Sequence, residues 1–141
     1  MPDFLPQPSI RPLPNTEGNA VISEDYAIGL PISGKTLFIK SGFVTDGASI
    51  PKPAWSILGS YPFDPDILGP AIVHDALYSA ELMDRADCDR EFEELLRRNS
   101  AKGDSVHWLF YETVRLGGWS VWNNHTQDTI AQSREFCSLS S

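Results

Sequence analysis

A chain of 141 residues suits one domain with one core, and its 41% apolar and 21% charged residues are ordinary for a soluble globular protein. The net charge of -8, from 19 acidic against 11 basic side chains, argues against nucleic acid as a partner, because phosphate-dominated binding needs a basic face. No apolar run approaches the roughly 20 residues that span a bilayer. The two cysteines, Cys88 and Cys137, lack the spacing of a zinc site or a disulfide framework.

Residues 1–18 carry Pro2, Pro6, Pro8, Pro12 and Pro14, a density that removes backbone donors and favours an extended arm. The segment has neither a basic start nor a continuous apolar stretch, so no signal peptide is expected and synthesis in the cytosol is the default. From Asn19 to Val44, "AVISEDYAIG" and "KTLFIKSGFVT" alternate apolar and polar residues around a turn at "LPISGK", which predicts a few antiparallel strands. After Pro51 the pattern turns helical. Asp64-Pro65 and Gly69-Pro70 both offer helix starts, and a first helix is expected to be running by Ala71 and to reach about Leu82. Asp84 is placed to cap a second, ending near Asn99. A third covers about Ser105 to Leu116, closed by Gly117-Gly118. The polar tail, 123–141, is an arm or a short final helix. The expected fold is α+β: a small N-terminal antiparallel sheet, a three-helix C-terminal part, and extended arms at both ends of a single domain spanning 19–122.

Some residues do not suit a packed core. The first helix is apolar over most of its circumference, yet His74 and Asp75 sit in its middle, with Tyr78 one turn after His74 on the same face. Burying a carboxylate beside an imidazole is costly unless each has a partner or a cation. In the second helix Ala86, Asp89, Phe92 or Glu93, and Leu96 mark the face that meets the core, while Asp87, Glu91, Glu94 and Arg98 form a polar face opposite. Asp89 therefore projects from an apolar stripe, and if the two helices pack antiparallel it reaches His74. A carboxylate on one imidazole nitrogen fixes the tautomer and makes the other nitrogen a better base, the His-Asp half of a hydrolytic site. Asp75 points about 100° away around the helix and is available to a metal at the edge of the same pocket. The loop "TDGASIP" brings Asp46 and turn carbonyls, hard oxygen ligands that suit calcium more than zinc.

Each feature also has a purely structural use. A buried His-Asp pair serves equally well as a packing network, Asp46-Gly47 as a turn, and Tyr78 as core. His107 with Tyr111 reads as packing, His125 as solvated, and Trp108, Trp119 and Trp122 as core or interface.

"SGFVTDGASIPKPAW", "HDALY", "RADCDREF" and "LFYETVRLGG" closely resemble a family of short, uncharacterised proteins encoded by tailed bacteriophages and prophages. In that family a G-F-x-T-D-x-A-S-x-P block precedes H-D-x-L-Y, A-D-x-x-F and a Y-x-x-V-R helix. The match runs from about Lys35 to Gly118, with Cys88 replacing the alanine before the aspartate. The resemblance implies a virion-associated protein of tail, neck or baseplate, made in the host cytoplasm, with other phage structural proteins held by its two arms.

A more distant similarity is to prokaryotic secreted phospholipases A-two, which carry an Asp-Gly-Cys-Ser loop, a His-Asp-x-x-Tyr helix and an Asp-x-x-Phe helix. It implies a calcium site at Asp46, Gly47 and Asp75, His74 as general base, Asp89 as its orienting carboxylate, Tyr78 as the tyrosine beside them, and host envelope lipid as substrate. Ala48 stands where those enzymes have the loop cysteine, so their stiffening disulfide is absent. The His-to-Asp interval is also shorter, 89 minus 74 giving 15 residues. Three functional classes follow: a calcium-assisted hydrolase, a non-catalytic component of the particle on a hydrolase-like scaffold, and a small accessory protein acting in the infected cell.

Overall fold

The computed structural model describes residues 6–14, 19–45, 64–100 and 103–140. Six strands and four helices lie among them: β1 (Ile10–Pro12), β2 (Ala20–Ile22), β3 (Tyr26–Gly29), β4 (Thr36–Ile39), β5 (Val44–Thr45), α1 (Pro65–Ser79), α2 (Arg85–Asn99), α3 (Asp104–Asn123), α4 (Gln127–Arg134) and β6 (Cys137–Ser140). The class is α+β and a sheet precedes the helices, as the sequence predicts. The strands divide between two three-stranded antiparallel sheets, ordered β1-β2-β5 and β3-β4-β6.

Period-two alternation builds the second sheet. Tyr26, Ile39 and Cys137 lie side by side across its strands, as do Ile28, Leu37 and Leu139. All but the half-buried Leu139 are buried. The intervening row, Ala27, Phe38 and Ser138, faces outward.

α1 is the central element. Every residue from Gly69 to Tyr78 is buried, as an apolar helix covered on both sides must be. One cluster packs it on the strands through Ile72, Val73, Ala76 and Leu77 against Ile22, Leu37 and Ile39. A second joins its Ile67 and Ala71 to Phe92 and Leu96 of α2 and Phe110 and Val114 of α3.

α1 begins at Pro65, earlier than the expected Ala71. Asp64 caps it by accepting the Asp66 N–H at 3.0 Å, and Pro65 takes the first-turn position that proline suits. Pro70 then falls inside the helix, where its missing N–H leaves the Asp66 carbonyl without its usual donor. The Asn99 side-chain amide donates to that carbonyl at 2.9 Å, from the last turn of α2. The break is mended by a neighbour and the helix runs on.

Two other boundaries differ. Leu82 lies beyond α1, whose cap is Ala80. α3 does not stop at Gly117-Gly118 but continues to Asn123. The glycine is there for packing: a Cβ at position 118 would lie 2.6 Å from the Tyr78 hydroxyl oxygen and just over 3 Å from its ring. Only a residue without a side chain lets α3 cross the tyrosine at that distance.

The expected arms are folded onto the domain where they are described. At the N-terminus, β1 pairs with β2, and the Tyr26 hydroxyl donates to the Pro6 carbonyl at 2.7 Å. The C-terminal tail forms a fourth helix and then β6, which completes the second sheet, so the three-helix expectation falls one short. Alternating polar positions in "CSLS" hide one buried residue, Cys137, and that suffices for an edge strand.

Candidate active site

α1 and α2 pack side by side, and the face of α1 that carries Ile67, Ala71, His74 and Tyr78 looks towards α2 and α3. His74 and Asp89 are 1% and 0% exposed. His74 Nε2 and Asp89 Oδ1 are 2.6 Å apart, so the contact expected from the spacing is made. The imidazole is wedged between Tyr78 and Phe92, with ring centroids at 4.2 and 4.8 Å. Its other nitrogen, Nδ1, is buried and has no hydrogen-bond partner among the described residues.

Burial is the largest influence on His74 and lowers its pKa, with the Asp89 bond and charge opposing. The ring is therefore neutral at pH 7. Where Asp89 accepts a proton from Nε2, Nδ1 carries the lone pair. Ring stacking and the Asp89 bond hold it in one orientation.

The other oxygen of Asp89 meets two cations that the sequence reading did not assign. Arg115 Nη1 of α3 donates to Oδ2 at 2.8 Å, and Arg85 Nη1 of α2 stands 3.7 Å from the same atom. Arg85 also donates to the Tyr78 hydroxyl at 3.3 Å and to the Arg115 carbonyl at 3.2 Å. Arg115 is the arginine of the Y-x-x-V-R motif, and Arg85 sits one turn before Asp89. The available signal was that a carboxylate on an apolar stripe requires a countercharge.

Tyr78 forms a wall of this site. Its ring meets Trp122 edge-on at 5.2 Å, and burial, followed by the charge of Asp89, pushes its hydroxyl far above the usual phenol range. A proton held that tightly makes the phenol a packing and hydrogen-bonding group. Asp75 is buried on a different side of α1. Burial first and the Asp75 charge second push the Cys137 thiol of β6 up to about 12. Asp46 and Gly47 lie outside the described residues. Among the described residues no group of three or more His, Cys, Asp or Glu side chains is placed to hold a metal ion.

Two polar residues depart from their expected surroundings. Glu91, expected on the polar face of α2, is 1% exposed, and its Oε1 accepts the Ile32 and Ser33 N–H groups at 2.9 and 2.8 Å. It fastens α2 to the turn between β3 and β4, a contact that no helical periodicity reveals. His125, expected to be solvated, meets Glu81 Oε2 through Nδ1 at 2.8 Å. His107 is buried, as expected of a packing residue, while Trp108 and Trp119 are exposed and Trp122 lies half-buried against Tyr78.

Residues 20–114 match the family described as protein of unknown function, DUF1353, a span that includes His74 and Asp89 and ends one residue before Arg115. The chain belongs to the DUF1353 family. A similar curated protein, the uncharacterized protein y4jT of Sinorhizobium fredii, is 28% identical over 101 residues. That alignment covers 71% of this chain, which spans about 30% of the length of y4jT. No solved structure matches this DUF1353 chain. Among the described residues no helix is long and apolar enough to cross a membrane.

Proposed function

We propose that the protein is a hydrolase in which His74 is the general base, Asp89 orients it, and host envelope lipid is the substrate class. The observation that supports this is the asymmetry of the imidazole: Nε2 is tied to a buried carboxylate, while Nδ1, neutral and buried, has no partner among the described residues. An unsatisfied buried nitrogen costs about 1–3 kcal/mol. What sets His74 apart from His107, both of whose nitrogens are also buried without a hydrogen-bond partner among the described residues, is the carboxylate on Nε2. A base needs Nδ1 to take a proton from water. On the resemblance to phospholipases, calcium would be held by Asp46, the Gly47 carbonyl and Asp75, and would polarise the scissile carbonyl. Asp75, buried next to His74 in the chain, is the one of these among the described residues.

The decisive measurement is fatty-acid release from phosphatidylglycerol vesicles, with and without calcium, by the wild type and by His74→Ala. The reading expects release that needs both calcium and His74, and a calcium-dependent rise in melting temperature that Asp75→Asn abolishes. Release at the level of folded His74→Ala would sink it.

A second reading is a non-catalytic component of a phage tail, neck or baseplate, made in the host cytoplasm and carried in the virion. The observation that favours it is the face of α3, where Trp108, Leu109, Leu116 and Trp119 are all more than 40% exposed. Apolar surface of this extent suits a protein partner. On this reading the phage neighbours meet α3, because the arms are folded onto the domain where they are described.

A further inference from the structure

α3 turns Phe110 and Val114 towards α1 and α2, and on its opposite side Trp108, Leu109, Leu116 and Trp119 are each more than 40% exposed. Trp108 and Trp119, about three turns apart, lie along one edge of that side. Leu109 and Leu116, about two turns apart, lie along the other. Between the tryptophans the only charged residues are Glu112 and Arg115.

This stripe is nearly its own complement. Turned end for end about Thr113, it sets Trp108 opposite Trp119, Leu109 opposite Leu116 and Glu112 opposite Arg115. A two-fold axis across two antiparallel helices keeps each edge with itself, so tryptophan meets tryptophan and leucine meets leucine. A parallel pair would set Glu112 against Glu112 and Arg115 against Arg115, which repel. Arg115 is 30% exposed, and its guanidinium, which gives Nη1 to Asp89, has further donors for a carboxylate. The two charges cancel, so copies of a chain of net charge -8 meet where its acidity is least felt. The 20 residues of α3 make it about 30 Å long. Contact along that length removes on the order of 1,000 Å² of total surface, the lower bound for a specific interface. Tryptophans are also the residues on which such contacts most often depend.

A lipid surface is the other cover for such a stripe. Helices that lie on membranes flank their apolar face with Lys and Arg, however, and α3 has Arg115 alone, already directed to Asp89.

We propose that two copies of the chain associate through α3, antiparallel about a two-fold axis near Thr113. Trp108 packs on the partner's Trp119, Leu109 on the partner's Leu116, and Glu112 pairs with the partner's Arg115. Each Arg115 then lies between its own Asp89 and the carboxylate of the partner's Glu112. The inference rests on the second reading above only in taking this face as a protein contact, and it names that protein as a second copy.

The test is sedimentation equilibrium of the full chain from micromolar to hundreds of micromolar concentration. Wild type is expected to approach twice the 15.6 kDa of one chain. Leu116→Glu, at a side chain 74% exposed, is expected to sediment as a monomer with unchanged circular dichroism. Glu112→Arg, which sets like charges together in the antiparallel register, should raise Kd about tenfold or more. Ile32→Glu, an exposed apolar position on the β3–β4 turn, should leave Kd as it is. A folded Leu116→Glu that still dimerises overturns the proposal, and so does a Glu112→Arg with the wild-type Kd or an Ile32→Glu that is monomeric. A wild type that stays monomeric overturns it too, and flotation with phosphatidylglycerol vesicles then separates two cases. If the monomer binds them, the reading of α3 as a protein contact falls with the proposal. If it does not, that reading stands with a different protein as the cover.

Discussion

Two histidine–carboxylate pairs of almost the same length sit in this fold, and they do different work. His74 and Asp89, 2.6 Å apart, are 1% and 0% exposed. His125 and Glu81, 2.8 Å apart, are 12% and 24% exposed. The second pair belongs to a clasp at the C-terminal end of α1. Glu81 follows the helix with a left-handed φ of 44°, and Arg134 of α4 donates to the Ala80 and Glu81 carbonyls at 2.7 and 3.2 Å. Trp122 lies beside His125, with ring centroids 5.7 Å apart. This clasp holds the C-terminal tail against α1, where β6 can join its sheet. Distance alone does not tell a site from a clasp. Burial and the number of charges converging on the carboxylate do.

The sharpest way to break the comparison is to remove each carboxylate. Asp89→Ala strands Arg115, Arg85 and the His74 N–H around an emptied, buried position, and breaking a buried pair in this way costs about 3–5 kcal/mol. Chemical denaturation should show a loss of that size. A loss under about 1 kcal/mol would mean that the three helices relax around the gap and that Asp89 is not what joins them.

A smaller effect comes from pH. In the folded chain burial lowers the His74 pKa, whereas in the unfolded chain it lies near the usual value of about 6.5. Below that value the unfolded state binds a proton that the folded state refuses, so stability falls with falling pH until the folded His74 titrates. The contribution approaches about 1.4 kcal/mol per pH unit. Stability measured from pH 7.5 down to 5 should therefore fall more steeply for the wild type than for His74→Gln, whose amide still donates to Asp89. Parallel curves would show that His74 takes up its proton as readily folded as unfolded.

The smallest effect belongs to the clasp. Glu81→Gln removes the charge from a partly exposed pair and keeps its length, and pairs of that kind are worth about 0–1 kcal/mol. A midpoint shift larger than this would place the His125 pair alongside the His74 pair and erase the contrast.

Much of the fold was legible along the chain because its signals are local. The alternation in "AVISEDYAIG" and "KTLFIKSGFVT" marks strands wherever one face is covered. Asp89 on an apolar stripe required a buried partner, and His74 was the residue one helix away. Where reading failed, the deciding group came from elsewhere in the chain. Pro70 and Gly118 look like helix breakers, and each is accommodated by one distant side chain, Asn99 in the first case and Tyr78 in the second. Glu91 sits on a polar face by periodicity and is buried where its carboxylate accepts two amides of the β3–β4 turn, roughly 60 positions earlier.

The sequence by itself determined the class of the fold, the helix pair that carries His74 and Asp89, and the need of each for a buried partner, since these follow from periodicity and from the cost of burying a charge. That the two meet depended on how the helices pack. Tertiary structure decided the rest. It brought Arg115 across from α3 to the second oxygen of Asp89. It also folded a polar tail into α4 and β6, because one buried thiol, an edge strand to pair with and the arginine clasp suffice to order a segment whose composition shows almost no core. Such contacts depend on which distant groups arrive at one point, and no local pattern carries that information.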